Sequence, residues 1–576
     1  MNSIFKISFV SLFFVLCGIN AAAQVKQQKI ARVDQMPNLP KPFEIIDYKK
    51  LAIKFDSTVY DFNAKGKFWP LIWKEDSKKN YPQTVVGMYT AMGDVRQGPN
   101  HNKGMFHEAL ATMGATLGGS LVGIDKSNQQ NLDYVGMLKN YFNKDTGWDI
   151  MMNNTCPEVA LLGGGYGRDW WYDVYPNLLF YAVYSKYPNQ PGFDEIAKSI
   201  AEKFLKADTI LNGNYDYSYF DYGKMKPMKN NICAQPDAAA GHAWVLYAAY
   251  KKFGDERYLK GAISALSALQ SQPKNPTYEL LMPFGAYLSA RINAEKDTTF
   301  DTNKMLGWSF DGTAICREGW GVLVGNWNGI DISGIVGSTV DHGGYGFLMN
   351  TYDAAWPLVP MVRYNQSYAT AIGKWMLNAA NASRFFYPQY MPDNHETIPE
   401  LAASVSKGVI AYEGITKKSN QAEYENIEAP VAQGDGPLWV AGENPKESQL
   451  SVYGSGHVGI FGSIIRTTNV EGILQLNLLA TDFYYEKAYP TFLYYNPYTT
   501  TKTVSIKVSS GKKVDLYDAV SGLFIARNVS ISSKIKISPI NSAVIVCIPS
   551  GGKTTYKGSK MLVNGIVVDY RYAPKK

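Results

Sequence analysis

The chain has 576 residues and a formal charge of +7, from 57 Lys and Arg against 50 Asp and Glu. Both signs are mixed along its length, which is too weak a bias for a nucleic-acid partner, and beyond the N-terminal segment no run of about 18 apolar residues marks a membrane span. Aromatic content is the outlier at 13%, with 40 Tyr and 12 Trp; rings beyond the needs of a core suit a surface that stacks on the apolar C–H face of a sugar.

The first residues, MNSIFKISFVSLFFVLCGINAAAQ, carry one lysine, an apolar run from Ile7 to Leu16 and small residues at Ala21–Ala23. This is the layout of a secretory signal peptide over 1–23. Leu16 stands where a lipoprotein signal needs a small residue before Cys17, so cleavage near Ala23 is expected, with a soluble, periplasmic mature protein. That leaves Cys156, Cys233, Cys316 and Cys547, with no C-x-x-C pair and no Cys-His spacing suited to zinc. They are expected to be buried apolar residues, with one disulfide left open.

Residues 24–45 read as a proline-containing lead-in. From 46 to 455 the period is helical, as in Phe106, Leu110, Met113 and Leu117, and in Ile196, Ile200, Phe204 and Ala207. From Asp237 the chain reads as an αα-hairpin broken at Gly254-Asp255, and further helices are expected over 279–294 and 368–386. Long loops rich in Gly, Trp, Asn and Asp cover 143–172, 211–236 and 307–350; such loops usually carry function. Over 456–576 the period changes to 2: TVSIKV, KIKI and AVIVCI alternate or run apolar, and Asn564-Gly565 between apolar runs signals a tight hairpin. The expected architecture is mainly α: an (α/α)6 toroid of helical hairpins followed by a C-terminal β-sandwich. The sandwich is read as a structural domain rather than a binding module.

Two loops carry the candidate chemistry. In GGGYGRDWWYDVYP, Asp169 is a candidate carboxyl, with Arg168, Trp170 and Trp171 as substrate contacts; the competing assignment is a structural turn tied by an Arg–Asp pair. In the glycine-rich stretch 307–346, Glu318 beside Arg317 and Trp320 is the preferred acid/base, and Asp341 offers a second carboxyl with His342 and Tyr345 next to it. Glycosidic hydrolysis needs one carboxyl to protonate the leaving oxygen and usually a second as base or nucleophile. Each of these acids could equally cap a helix or brace a loop. Asp237 reads as an N-cap ahead of His242; both are kept as substrate-binding candidates. Asp94 with Arg96, Asp393 with His395 and Glu396, Glu413 and Asp435 are further polar clusters, none specific alone. There is no G-x-S-x-G, H-E-x-x-H, P-loop or EF-hand motif, no spacing argues for a metal, and no cofactor is expected.

The stretches DFNAKGKFWPLIW, LVGIDKS, YGSGHVGIFGSIIRTTNVEGILQLNLLATDFY and AYPTFLYYNPY resemble secreted carbohydrate-active enzymes of Bacteroidetes-type polysaccharide degradation, over nearly the whole mature chain. The nearest resemblance is to glycoside hydrolase family 154, which implies a toroid, a C-terminal β-sandwich and removal of β-linked glucuronate. It supplies no motif that maps catalytic residues onto this chain. A uronate-containing oligosaccharide is therefore the expected partner, with Arg168 or Arg317 holding its carboxylate. The competing reactions are β-elimination by a lyase, which would draw on His342, Tyr345, Asn350 and Arg317, and glycan binding without catalysis. Oligomeric state is left open, since long aromatic loops allow subunits to complete one another's sites.

Overall fold

Helices that are apolar all round must be buried on all sides, and those with one apolar stripe lie outside them. The computed structural model describes residues 25–312, 316–317, 319–508 and 511–571, so the expected signal peptide lies outside the described residues. Its principal helices are α1 (Tyr48–Val59), α2 (Ala109–Leu121), α3 (Trp170–Lys186), α4 (Phe193–Leu211), α5 (Ala238–Phe253), α6 (Glu256–Ser271), α7 (Met282–Lys296), α8 (Thr302–Asp311), α9 (Leu348–Tyr364), α10 (Ala369–Ala382), α11 (Val452–Gly456) and α12 (Gly459–Ile464). Every residue of α9 is buried, as are all of α2 but Leu121 and all of α3 but Tyr172 and the last two residues. By contrast α4 buries one stripe, including Ile196, Ile200, Phe204 and Ala207.

The buried helices pack in succession, α2 on α3, α3 on α5, α5 on α7 and α7 on α9; α9 then meets α11 and α12, and these return to α2. The contacts therefore run round a closed ring, with α1, α4, α6, α8 and α10 packed against its members. The hairpin from Asp237 forms as α5 and α6, and its break is set by Asp255, whose carboxylate accepts from Arg257 N–H. No helix among the described residues is long and apolar enough to cross a membrane.

One departure from the expected pattern is an antiparallel sheet inside the helical region. Its strands are β1 (Trp320–Val322), β2 (Val336–Ser338), β3 (Tyr345–Phe347), β4 (Gly414–Thr416) and β5 (Val431–Gln433), hydrogen-bonded in that order. Strands of three residues fall below the length at which period 2 shows in a sequence.

After α12 the chain forms β6 (Ile465–Thr467), β7 (Leu474–Asn477), β8 (Thr491–Asn496), β9 (Lys502–Lys507), β10 (Val514–Asp518), β11 (Leu523–Val529), β12 (Ser532–Ile537) and β13 (Asn541–Pro549). Six of these make a sheet in the order β6-β7-β8-β13-β10-β11, and β9 pairs with β12. Alternation decides the faces: Ala543, Ile545 and Cys547 of β13 pack with Val504 and Ile506 of β9, while Val544, Val546 and Ile548 join the main core. The expected hairpin forms between β14 (Lys560–Val563) and β15 (Ile566–Asp569), with Asn564 and Gly565 both at positive φ.

A buried ion pair pins the ring. His457, between α11 and α12, places Nδ1 at 2.7 Å from Asp353 Oδ1 on α9 and Nε2 at 2.9 Å from the Leu110 carbonyl on α2. Both neighbours are acceptors, so both ring nitrogens donate and the imidazole is charged. Asp353 and the Leu110 carbonyl hold its pKa above 6.5 against the opposing effect of burial. A raised histidine pKa stabilises the fold most fully below the unfolded value, and that stability is lost as pH rises through the folded value. Melting temperature is therefore expected to fall from pH 6 towards pH 9. Asp353→Asn should destabilise by about 3–5 kcal/mol at pH 6 and flatten this dependence, which thermal melts across the range would show.

Candidate active site

The acidic residues that precede the ring helices gather at one place. Glu108 precedes α2, Asp169 precedes α3, Asp237 precedes α5, Glu279 lies three residues before α7, and Asn350 is in the first turn of α9. Helix N-termini carry partial positive charge and exposed N–H groups, so their convergence favours anionic groups here.

Glu279 is the central member. Its backbone stands at φ 58°, in the left-handed region, a conformation that costs a non-glycine residue energy and persists only where the surroundings enforce it. They do so: Asp237 Oδ2 accepts from Tyr278 N–H at 2.9 Å, and Asn275 bonds both Thr277 and the Trp308 carbonyl. Asn350 Nδ2 donates to Glu279 Oε2 at 2.8 Å. Desolvation pushes the Glu279 carboxyl up to about 8, with Asp169 and Asp341 adding to the rise and Asn350 and Arg317 opposing it. The side chain is half-buried and carries its proton at neutral pH.

The five-stranded sheet supplies the facing groups. Arg317 precedes β1, Asp341 and His342 lie in the β2–β3 turn, Tyr345 opens β3, Glu413 precedes β4 and Asp435 follows β5. Three-residue strands span only about 7 Å between first and last Cα, so loops at both ends of the sheet stay close to one another. The charge of exposed Arg317 acts on Tyr278, Glu279, Asp169 and Asp341. Glu413 is buried and accepts from Tyr453 Oη at 2.9 Å and from Asp435 N–H at 3.1 Å. Burial and the neighbouring Asp435 raise its pKa, and burial raises that of Asp435. Two such carboxyls cannot both ionise cheaply, since each disfavours the charge of the other. Gly414 is required here: a Cβ there would lie 2.1 Å from the Tyr345 ring.

The loop GGGYGRDWWYDVYP is mostly framework. A Cβ on Gly164 would lie 2.3 Å from the Tyr172 ring, so glycine lets that half-buried ring lie flat on the loop. Asp173 accepts from Gly167 N–H, and Asn230 Nδ2 donates to the Gly167 and Arg168 carbonyls. Three residues on, Cys233 forms a disulfide with Cys316, Cα atoms 5.3 Å apart, directly beside Arg317. The cysteine expectation is corrected for this pair and holds for buried Cys156 and Cys547.

Of the residues singled out in the sequence, the structure brings together Asp169, Arg317, Asp341, His342 and Tyr345, together with Asn350. Glu318 lies outside the described residues. Asp169 is buried and accepts from Gln235 Nε2 at 2.7 Å. Arg168 has no salt bridge among the described residues and donates to the Leu161 and Gly163 carbonyls, bracing its own loop. Trp170 is fully buried and stacks on Tyr215, which makes it core rather than a sugar platform; Trp171 is buried beneath Tyr172. Trp320 is a buried wall against Tyr278 and Phe347. His242 is buried among Trp170, Phe204 and Tyr215, bonds Tyr222 Oη at 2.7 Å, and has its pKa lowered to about 3 by desolvation. It is not brought to the cluster. Asp237 makes no side-chain cap; it holds the Glu279 loop instead.

Glu279 is not singled out by the sequence because the periodicity predicts a helix that begins at 279. Pro283 is the signal that corrects this, since proline favours the first turn of a helix, and α7 indeed begins at Met282 with Pro283 in that turn.

No protein-family model and no curated protein sequence matches the chain. Among solved structures it is similar to a GH127 β-L-arabinofuranosidase from Geobacillus stearothermophilus T6, with TM-score 0.35 and 10% identity over 91% of this chain and 85% of that one. It is similar also to an endoglucanase from Clostridium thermocellum complexed with cellotetraose, with TM-score 0.34 and 12% identity over 91% of this chain and 98% of that one. A third structure, described as a glycoside hydrolase, gives TM-score 0.36 and 8% identity over 80% and 77%. At this level of likeness neither reaction nor substrate carries across.

Proposed function

We propose that this chain is an exported glycoside hydrolase on an (α/α)6 toroid, releasing a uronic acid, β-linked glucuronate, from glycan oligosaccharides. The observation that carries the reading is Glu279, a strained, half-buried carboxyl that keeps its proton to about pH 8 and faces other acids of the same cluster. Proton donation to a glycosidic oxygen at neutral pH requires such a group. Asp341 is half-exposed in the facing turn, and its carboxylate makes no hydrogen bond among the described residues, which suits the base or nucleophile. The closed ring of helices supports the toroid, and the Cys233–Cys316 disulfide suits an oxidising compartment. Arg317, held beside that disulfide, is the cation placed to bind a uronate carboxylate.

The competing lyase reading needs a base such as Tyr345. Its hydroxyl is buried without a partner among the described residues, and desolvation together with Asp435, Glu413, Glu279 and Asp341 raises its pKa well above 10. Ionising it among these acids is unfavourable, which supports hydrolysis over elimination. Gathered carboxyls likewise argue against a purely binding role.

The assignment of Arg317 is tested by Arg317→Met. Removal of a charge-assisted pair should lower kcat/KM for a glucuronide by about 10–100-fold, mostly through KM, while the low activity on the matching neutral glucoside is unchanged or rises. Equal losses on both substrates would remove the uronate assignment.

A further inference from the structure

Away from the catalytic cluster, two sizeable cavities stand out. One, of about 980 Å³, is bordered by Arg571, the last described residue, and carries no concentration of chemistry. The other, of about 910 Å³, lies in the C-terminal β-region between one face of the six-stranded sheet, reached by Gln475, Phe492, Val514 and Cys547, and Ser505 and Lys507 of β9. Four cations line it, Arg466, Lys507, Lys512 and Lys513, and no acidic residue does. All four are solvent-exposed, and among the described residues Arg466, Lys507 and Lys513 have no carboxylate partner, whereas exposed Arg257 and Arg527 elsewhere do. A gathering of like charges is unfavourable unless something neutralises it.

The walls are fixed rather than loose. Asn469 spans them, accepting from Ser505 N–H at 2.7 Å and donating to the Thr503 carbonyl. Gln475 is oriented by its amide donation to Tyr494 Oη, which leaves its carbonyl oxygen as an acceptor. The half-buried Phe492 and Tyr489 rings line the same space, and Tyr489 is anchored through its hydroxyl to the Val563 carbonyl. Cations for acidic substituents, ring faces for C–H surfaces and an amide acceptor for hydroxyls make one combination of partners. It fits a polyanionic sugar chain.

We propose that this groove binds a uronate- or sulfate-bearing oligosaccharide, which makes the C-terminal β-region a glycan-binding module and not only a structural one. This binding is independent of the catalytic assignment, because none of its residues belongs to the Glu279 cluster.

The test uses the full mature chain carrying Glu279→Gln, so that hydrolysis does not obscure binding. Calorimetry is run with a galacturonate hexasaccharide, a heparin-derived hexasaccharide, cellohexaose and anionic phospholipid vesicles. At least one acidic oligosaccharide is expected to bind, cellohexaose weakly or not at all, and the affinity to fall in about 0.5 M salt. Arg466→Ala combined with Lys513→Ala should weaken that binding by about tenfold or more, and Phe492→Ser should weaken it with all cations intact. In the background with Glu279 restored, the double variant should turn over a small aryl glycoside at the normal rate. Binding only to the vesicles, affinity unchanged in both variants, or equal affinity for cellohexaose would each overturn the proposal. A chain that binds acidic oligosaccharides through this groove yet hydrolyses none would refute the catalytic reading and leave this one standing.

Discussion

Glu279→Gln is expected to lower kcat on a glucuronide with a poor leaving group by about 10²–10⁴-fold, with KM little changed. The reason is positional and electrostatic together. The loop 275–279 is tied at both ends, the carboxyl is oriented by Asn350, and desolvation keeps it protonated up to about pH 8. The wild-type rate should therefore fall as pH rises past about 8, and the variant's residual rate should lack that limb. A substrate whose leaving group needs no proton, such as a nitrophenyl glucuronide, should recover most of the loss, which a general misfolding defect would not permit. Stability supplies an independent check. A carboxyl whose folded pKa is raised contributes stability at low pH that is lost as pH rises through that value. The glutamine variant should therefore melt no lower than the wild type at neutral pH and higher above pH 8. Sites shaped for catalysis commonly trade stability in this way.

The second large effect is expected at Asp341. Asp341→Asn should reduce kcat by about 10²–10⁴-fold on every leaving group, because a base or nucleophile is needed whatever departs. Its signature is rescue by a small external anion such as azide or formate, which would be absent for Glu279→Gln with a poor leaving group. Loss without rescue would move the role to the Glu413–Asp435 pair, of which Glu413 already interacts with Glu279 electrostatically.

Much of the framework is legible in the sequence, for reasons particular segments make plain. The stripe Ile196, Ile200, Phe204 and Ala207 needs no tertiary information, because one apolar face on a polar helix has a single way to bury itself. AVIVCI reads as a continuous apolar run because both faces of β13 are covered, one by β9 and one by the main core. The five-stranded sheet is invisible by the same logic: three-residue strands such as WGV and VGS carry no period. The site is half legible. Polar residues in glycine-rich loops, Asp169, Arg317, Asp341, His342 and Tyr345, stand out in the sequence, and their proximity in the fold is a tertiary fact that their spacing does not carry. Aromatic residues in GGGYGRDWWYDVYP mislead, since Trp170 and Trp171 begin a helix whose ring packing buries them. Glu413 and Asp435 are separated by 21 residues, and only the β4–β5 pairing of Gly414 with Gln433 brings them together. His457 and Asp353, 104 residues apart, give no local sign at all.

The most direct test of the central claim is the product. Purified mature protein would be incubated with glucuronate-terminated oligosaccharides, and the products followed by ultraviolet absorbance of unsaturated uronate and by mass analysis. Hydrolysis predicts free glucuronate, with the mass of one water gained per cleavage and no rise in absorbance. Rising absorbance with no water gained would show β-elimination and contradict the assignment of Glu279 as the acid of a glycoside hydrolase.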